Sequence, residues 1–427
     1  MASNKKITMR QLQILIILSA MGTGVMVFPQ RAAAFLPEGA QDGWLISIVI
    51  AILAVAVSVL ISAAARALPY GEVSDSSENA GADVAAPSLS SENTAQAPSF
   101  SNENAAQAPS FINALAVLFS KPMAYVIGVV FWLKLVFSAG FELRIFLEIC
   151  RDIMLPNTPM CVVGAVMLVT CGYAAAKGFE TRARVAEVLF ALILLPILFF
   201  FIIAVSDADF SNLKPIFVND VGAVVYGAAR LGFILTGLEC LLLVSPYTGA
   251  QPLSSDCPMV GMSPRSLDTP QNYKRSLPRA VAGAVTVAGL LLVGITMLTI
   301  ASFGRGVADQ PYPVLNMMDV VNLPGSFIER QEAVVFGFWL VTAFAFVNAL
   351  LFFGGLLACD ACRRVRLRGG VIFTVLAVFC ISCVPISKAD VLKLADYMYM
   401  SAGIFFLVVL PLAILAMAKL SEKSVYK

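Results

Sequence analysis

The chain has 427 residues, of which 59% are hydrophobic and 13% charged. A soluble domain is nearer about 45–50% apolar and 25% charged, so this balance, with a mean hydropathy of +0.85, points to a polytopic membrane protein. A net charge of +2 without an arginine-rich run gives no footprint for nucleic acid, and the absence of histidine excludes a Ser-His-Asp triad, His-bound zinc or haem, and a histidine proton relay.

Ten stretches are apolar enough to be predicted membrane spans, near 12–36, 43–67, 114–141, 159–176, 184–206, 222–246, 278–303, 332–357, 369–386 and 396–418. The first is interrupted half-way: Leu12 to Met21, then Gly22-Thr23-Gly24, then Val25 to Leu36. It has no signal-peptide cleavage pattern and reads as a true span. Two glycines flanking a threonine weaken a helix where unpaired backbone is most costly. Such a break frees N–H groups and the positive end of a half-helix to hold a carboxylate in the bilayer midplane. Close helix packing is the alternative use of the same small residues.

Between the second and third spans lies a polar stretch, residues 71–111. Residues 90–100 (SSENTAQAPSF) and 101–111 (SNENAAQAPSF) are a tandem repeat. Ser, Asn, Ala, Gln and Pro cannot bury a core, so a disordered cytoplasmic insertion is expected. A second Pro/Ser-rich stretch, 249–272, reads as a flexible cytoplasmic loop.

Lys134 in the third span and Arg230 in the sixth are expected near the outer surface, reaching water on their long stems. The sixth span reads Phe233-Ile234-Leu235-Thr236-Gly237-Leu238-Glu239, small residues and a charge near its middle. Glu239 is the one acidic residue placed well inside a span, where ionisation costs on the order of 3 kcal/mol. It could bind a substrate amine, carry a proton or pair with a base. The eighth span brings Thr342, Phe344, Phe346 and Asn348 as candidate pocket lining. Cys359/Cys362 and Cys380/Cys383 form two Cys-x-x-Cys pairs, but the second lies about a dozen residues up the next helix, too far to share a metal. No metal or other cofactor is expected.

Ten spans divide into five and five, and an odd number per half requires an inverted second copy. The matching first spans of the two halves, one and six, are both interrupted, which is a strong sequence pointer to a central transporter site. The fold expected is therefore all-α integral membrane, ten transmembrane helices as two inverted five-helix repeats with interrupted helices 1 and 6, forming one domain over residues 1–427. Lys and Arg number 19 on the segments assigned inside and 8 outside, so both termini are expected in the cytoplasm.

Several blocks carry a family likeness. They are Ile7-Thr8-Met9-Arg10-Gln11-Leu12, Gly22-Thr23-Gly24 followed by Phe28-Pro29, and Gln41-Asp42-Gly43-Trp44. Further along come Thr181-Arg182-Ala183-Arg184-Val185-Ala186-Glu187 and the run from Ser206 to Pro215. The last is Leu323-Pro324-Gly325-Ser326-Phe327-Ile328-Glu329-Arg330 through Ala333. In this order they resemble the bacterial spore-germination permeases, the B-type subunits of germinant receptors within the amino acid–polyamine–organocation superfamily.

That resemblance implies a sensor of a small nutrient germinant, usually an amino acid. It also implies an A-type membrane subunit and a C-type lipoprotein as partners in the inner membrane of the spore. It would place Gly22, Thr23 and Gly24 against the carboxylate, with Thr236 and Gly237 opposite and Thr342 as a contact from span eight. The family has only a short connection where this chain has its repeats. An autonomous proton-coupled amino acid transporter needs the same pocket, as the residues alone do not separate sensing from transport. A scaffold without ligand binding would instead have a collapsed cavity. Nothing pairs a nucleophile with its base, so no enzyme is expected.

Overall fold

The computed structural model describes residues 7–22, 24–36, 38–70, 110–247, 270–320, 331–362, 365–384 and 387–425. Thr23, residues 71–109 with the repeats, 249–269 of the second loop and the block 323–330 lie outside the described residues.

All ten apolar stretches fall on helix. The first is a bent pair, α1 (Met9–Ala20) and α2 (Gly24–Phe35), meeting at 50°. Thr8 starts α1 with a reciprocal cap: its hydroxyl accepts the Gln11 N–H at 3.3 Å, and the Gln11 side chain accepts the Thr8 N–H at 3.1 Å. Next comes α3 (Gly43–Ala67), with the expected bounds.

The third span differs from its expected limits at both ends. A separate helix, α4 (Phe111–Leu118), precedes α5 (Lys121–Ile153). Pro122 sits in the first turn of α5, where its missing N–H costs nothing. At the far end α5 runs past the apolar stretch and carries Glu142, Arg144 and Glu148 on helix, the last two paired at 3.0 Å.

There follow α6 (Met160–Ala176), α7 (Phe179–Asp207) and α8 (Val221–Arg230). Beyond α8 the sixth span does not resume as α-helix. It continues as two 3₁₀ segments, Gly232–Leu235 and Leu238–Leu243, bent 48° from α8. The rest is α9 (Pro270–Phe303), α10 (Pro313–Val320), α11 (Gln331–Ala361), α12 (Leu367–Ser382), α13 (Lys388–Met398) and α14 (Leu410–Val425). Between α13 and α14 the chain stays helical through two π turns, Tyr399–Gly403 and Phe405–Val409.

Five of these helices are each long and apolar enough to cross a membrane, and seven spans result when each bent pair counts as one, among the described residues. Large apolar side chains face outward from several helices, including Val166 and Val169 on α6, Val188 and Ile202 on α7, Leu290 on α9 and Ile372 on α12. In water so much exposed apolar surface would drive association; here it is the surface that lipid covers. Inside, buried hydroxyls bond back to their own helices, Ser58 to the Val55 carbonyl at 2.9 Å and Thr296 to that of Leu292 at 2.8 Å. The chain is an integral membrane protein. Its bent first span packs inside a shell formed by α3, α7, α9 and α11, so both breaks face the interior.

Candidate ligand site between two helix breaks

The two breaks meet around one aromatic ring. A Cβ built on Gly22 would lie 3.1 Å from Phe346 Cδ1, and one on Gly237 would lie 2.7 Å from Phe346 Cε2. Gly237 also has φ = +101°, a conformation that side chains resist. Its residue type is therefore fixed twice, by backbone and by the Phe346 ring. Gly24 lies beside Phe233 and Ile234 of the second break; its added Cβ would meet both at 3.6 Å, ordinary contact.

A pocket of about 500 Å³, its open side included, lies between the breaks. Gly24, Phe233, Thr236 and Phe346 form one side, and Lys134, Ser138, Phe141 and Glu142 of α5 the other, with Ala395, Met398 and Tyr399 closing the end. Tyr399 opens the first π turn, a local widening that recurs at functional sites. At one rim Arg31 of α2 pairs with Asp396 of α13 at 2.5 Å, and its guanidinium lies 4.6 Å from the centre of the Phe233 ring. The pair bridges α2 and α13 beside the pocket.

Lys134 corrects an expectation. Its side chain is 2% exposed and forms an ion pair with Glu239, which is fully buried. The stem does not reach water because α5 carries it into the centre of the bundle. The other Glu239 oxygen accepts the Gly237 N–H at 3.1 Å. Glu239 therefore stands behind the pocket, tying the irregular turn at Gly237 to Lys134, and Lys134 itself lines the pocket. Of the roles open to Glu239, pairing with a base is the one this geometry displays. Arg230 is only partly exposed.

On the other side of Phe346 is a larger cleft, about 930 Å³ with its open side. It is bounded by α1, α3, α9, α11, the second break and the start of α7. Phe346 and Thr236 line both cavities and are their common wall.

The structure thus brings Gly22, Gly24, Thr236 and Gly237 together, with Glu239 behind them; Thr23 lies outside the described residues. Thr342 is placed elsewhere. It faces a separate apolar cavity with Met21, Val25 and Trp339, and its hydroxyl donates to the Trp339 carbonyl at 2.7 Å. Asn348 points away too, its amide donating to the Cys171 carbonyl of α6 at 2.8 Å, and Phe344 lies beside it in another cavity. Of the four candidates in span eight, Phe346 alone faces the breaks. The sequence reading missed Glu142, because hydropathy ended the third span one residue too early, and Tyr399, which carries no charge to draw attention.

The comparisons agree with this architecture. A family model described as "Spore germination protein" matches residues 102–263 and 271–391. The chain is 20% identical over 300 residues to Spore germination protein YndE of Bacillus subtilis, covering 70% of this chain and 76% of that one. It is 24% identical over 277 residues to Spore germination protein XB of Bacillus anthracis, covering 63% and 70%. Among solved structures it is similar to MHP1, a nucleobase-cation-symport-1 family transporter in a closed conformation with bromovinylhydantoin bound. The TM-score is 0.56 at 13% identity, over 95% of this chain and 79% of that one. This likeness concerns the fold alone, that of a transporter. With two thirds of its length matched by the family model, the chain belongs to the spore germination protein family of membrane permeases.

Proposed function

We propose that the chain is the permease subunit of a germinant receptor, and that it senses a small amino acid in the pocket between the two breaks. The observation that carries this reading is the meeting of opposite features in one small space. The start of α2 has a positive dipole end and first-turn N–H groups beyond the reach of helical acceptors, apart from that of Val25, which donates to the Gly22 carbonyl at 3.2 Å. Beside it, Glu142 of α5 lines the pocket, one carboxylate oxygen 2.9 Å from where a Gly22 Cβ would stand, while the Lys134 charge is already balanced by Glu239. A zwitterion fits this polarity, its carboxylate toward Gly22, Thr23 and Gly24 and its ammonium toward Glu142. Thr236 supplies a hydroxyl from the second break, and Phe346 covers the side chain. Binding would shift the relative position of the breaks, and partner subunits, an A-type membrane protein and a C-type lipoprotein, would read that shift at the inner membrane of the spore. In this arrangement both termini lie in the cytoplasm, and the ten spans form two inverted five-helix repeats.

The test is amino acid binding by the purified protein across a panel of L-amino acids. Gly24→Ala adds a methyl group that the packing accepts at 3.6 Å, yet it places that group in the pocket and favours continuous helix by up to about 1 kcal/mol. It is expected to weaken binding at least tenfold in a folded protein, and Glu142→Gln to do the same for zwitterions but not for the matching carboxylic acids. Unchanged affinity in both variants would refute the pocket. Uptake of the bound amino acid into proteoliposomes, driven by a proton gradient, would favour an autonomous transporter instead.

A further inference from the structure

The large cleft on the far side of Phe346 contains one feature that the amino acid pocket does not use. Arg182, in the first turn of α7, lines the cleft and is 6% exposed. Its Nε and Nη1 are enclosed and have no hydrogen-bond partner among the described residues, and none of the ion pairs there includes it. Two aromatic rings lie near the guanidinium: its central carbon is 5.7 Å from the ring centres of both Phe179 and Phe353, which also line the cleft. Two rings can flank a planar cation, but they leave its in-plane N–H groups unsatisfied.

An arginine keeps its charge under all ordinary conditions and presents donors in a rigid fork that matches a carboxylate. Burying such a group unpaired is costly, and a fold that keeps it there has left room for an anion. The rest of the cleft indicates what kind. Apart from Arg182, its polar side chains are Ser19, Thr236 and Cys240; none is acidic, and the walls are otherwise aliphatic or aromatic. A zwitterion would bring an ammonium group with no counter-charge, in contrast to the pocket facing Glu142. A carboxylate with an apolar tail leaves nothing unpaired.

The geometry points to a second ligand site, in which a small apolar monocarboxylate binds through its carboxylate to the Arg182 guanidinium and lays its tail in the apolar cleft. The site is separate from the amino acid pocket, with Phe346 and Thr236 between them.

The experiment uses the full-length purified protein and hexanoate as the probe, with binding measured by calorimetry and 1-hexanol and hexylammonium as controls of equal length. Hexanoate is expected to bind, the alcohol at least tenfold more weakly, and the ammonium not at all. Arg182→Met is expected to lower hexanoate affinity by about ten- to a hundredfold, the usual weight of a charge-assisted contact. Arg182→Lys should fall between, keeping the charge and losing the fork. Without ligand, Arg182→Met should melt no lower than the parent, because it removes an unpaired buried charge; a guanidinium satisfied by the protein itself would give a marked fall, or a variant that does not fold. Ala288→Phe, which fills the cleft from α9 with Arg182 intact, should abolish hexanoate binding. The proposal is overturned by absent binding in the parent protein, by equal binding of hexanol, by unchanged affinity in Arg182→Met or Ala288→Phe, or by destabilisation of Arg182→Met.

Discussion

At Gly237 a left-handed backbone turn and the Phe346 ring leave no room for a side chain. Gly237→Ala should therefore destabilise the protein by roughly 1–2 kcal/mol from backbone conformation alone, with more from the displaced ring. Gly24→Ala should leave the melting temperature near that of the parent. Thermal unfolding of the two variants side by side checks this, and equal melting points would show that the second break relaxes more readily than its geometry indicates. The Lys134–Glu239 pair makes a second residue-scale prediction. Replacing Lys134 by Met strands a buried carboxylate, and Glu239→Gln strands a buried ammonium; losing one member of such a pair costs about 3–5 kcal/mol. The double variant Lys134→Met with Glu239→Gln should recover much of the loss. Additive losses in the three melting curves would mean that the two groups do not depend on each other. Glu239 could be singled out from sequence because a charge within a span is rare. Its partner could not, because nothing in a linear string says that the middle of span three lies against the turn in span six.

At the scale of elements, the breaks were legible, and so were the bounds of α3, but other helix ends were not. Gly-Thr-Gly inside an apolar run and Thr-Gly inside another mark positions where helix is weak whatever the surroundings. The end of α5, by contrast, is set by neighbouring helices that shelter Glu142, Arg144 and Glu148, so a hydropathy window stops too soon. Thr342 and Asn348 looked available for a ligand because sequence shows donors without showing which carbonyls already accept from them. The link between α2 and α13 carries the prediction at this scale. Arg31 and Asp396 are each about 15% exposed in their side chains, so their pairing is partly screened and worth about 1 kcal/mol. Asp396→Asn should raise both the association and the dissociation rate of a ligand in the adjacent pocket, by roughly fivefold on that energy. Stopped-flow binding measures both, and unaltered rates would mean that the pair holds the helices together without restricting access.

For the whole molecule, the order of spans and their basic-residue bias yield a topology. On the proposed topology, with both termini inside, Ser91 within the tandem repeats would be cytoplasmic. A cysteine placed there should resist an impermeant thiol reagent on intact cells and react once the membrane is opened. Ready labelling from outside would invert the arrangement. Composition and periodicity made the membrane class and each apolar helix readable, because crossing a bilayer constrains length and polarity more tightly than folding in water does. They said nothing of where a separate cavity would form, since Arg182 in a short polar connector is indistinguishable in sequence from a solvated surface charge.

Phe346 has a consequence for both cavities at once. Its ring closes one side of each, and it rests on Gly22 at the bend of the first span and on Gly237 between the two 3₁₀ segments of the sixth. A molecule that turns the ring to make space for itself on one side necessarily changes the shape offered on the other. Thermodynamic reciprocity then fixes the result: whatever factor an occupant of the first cavity imposes on affinity in the second is returned unchanged in the opposite direction. Trimming the ring to Ala would erase that factor by joining the two spaces into one.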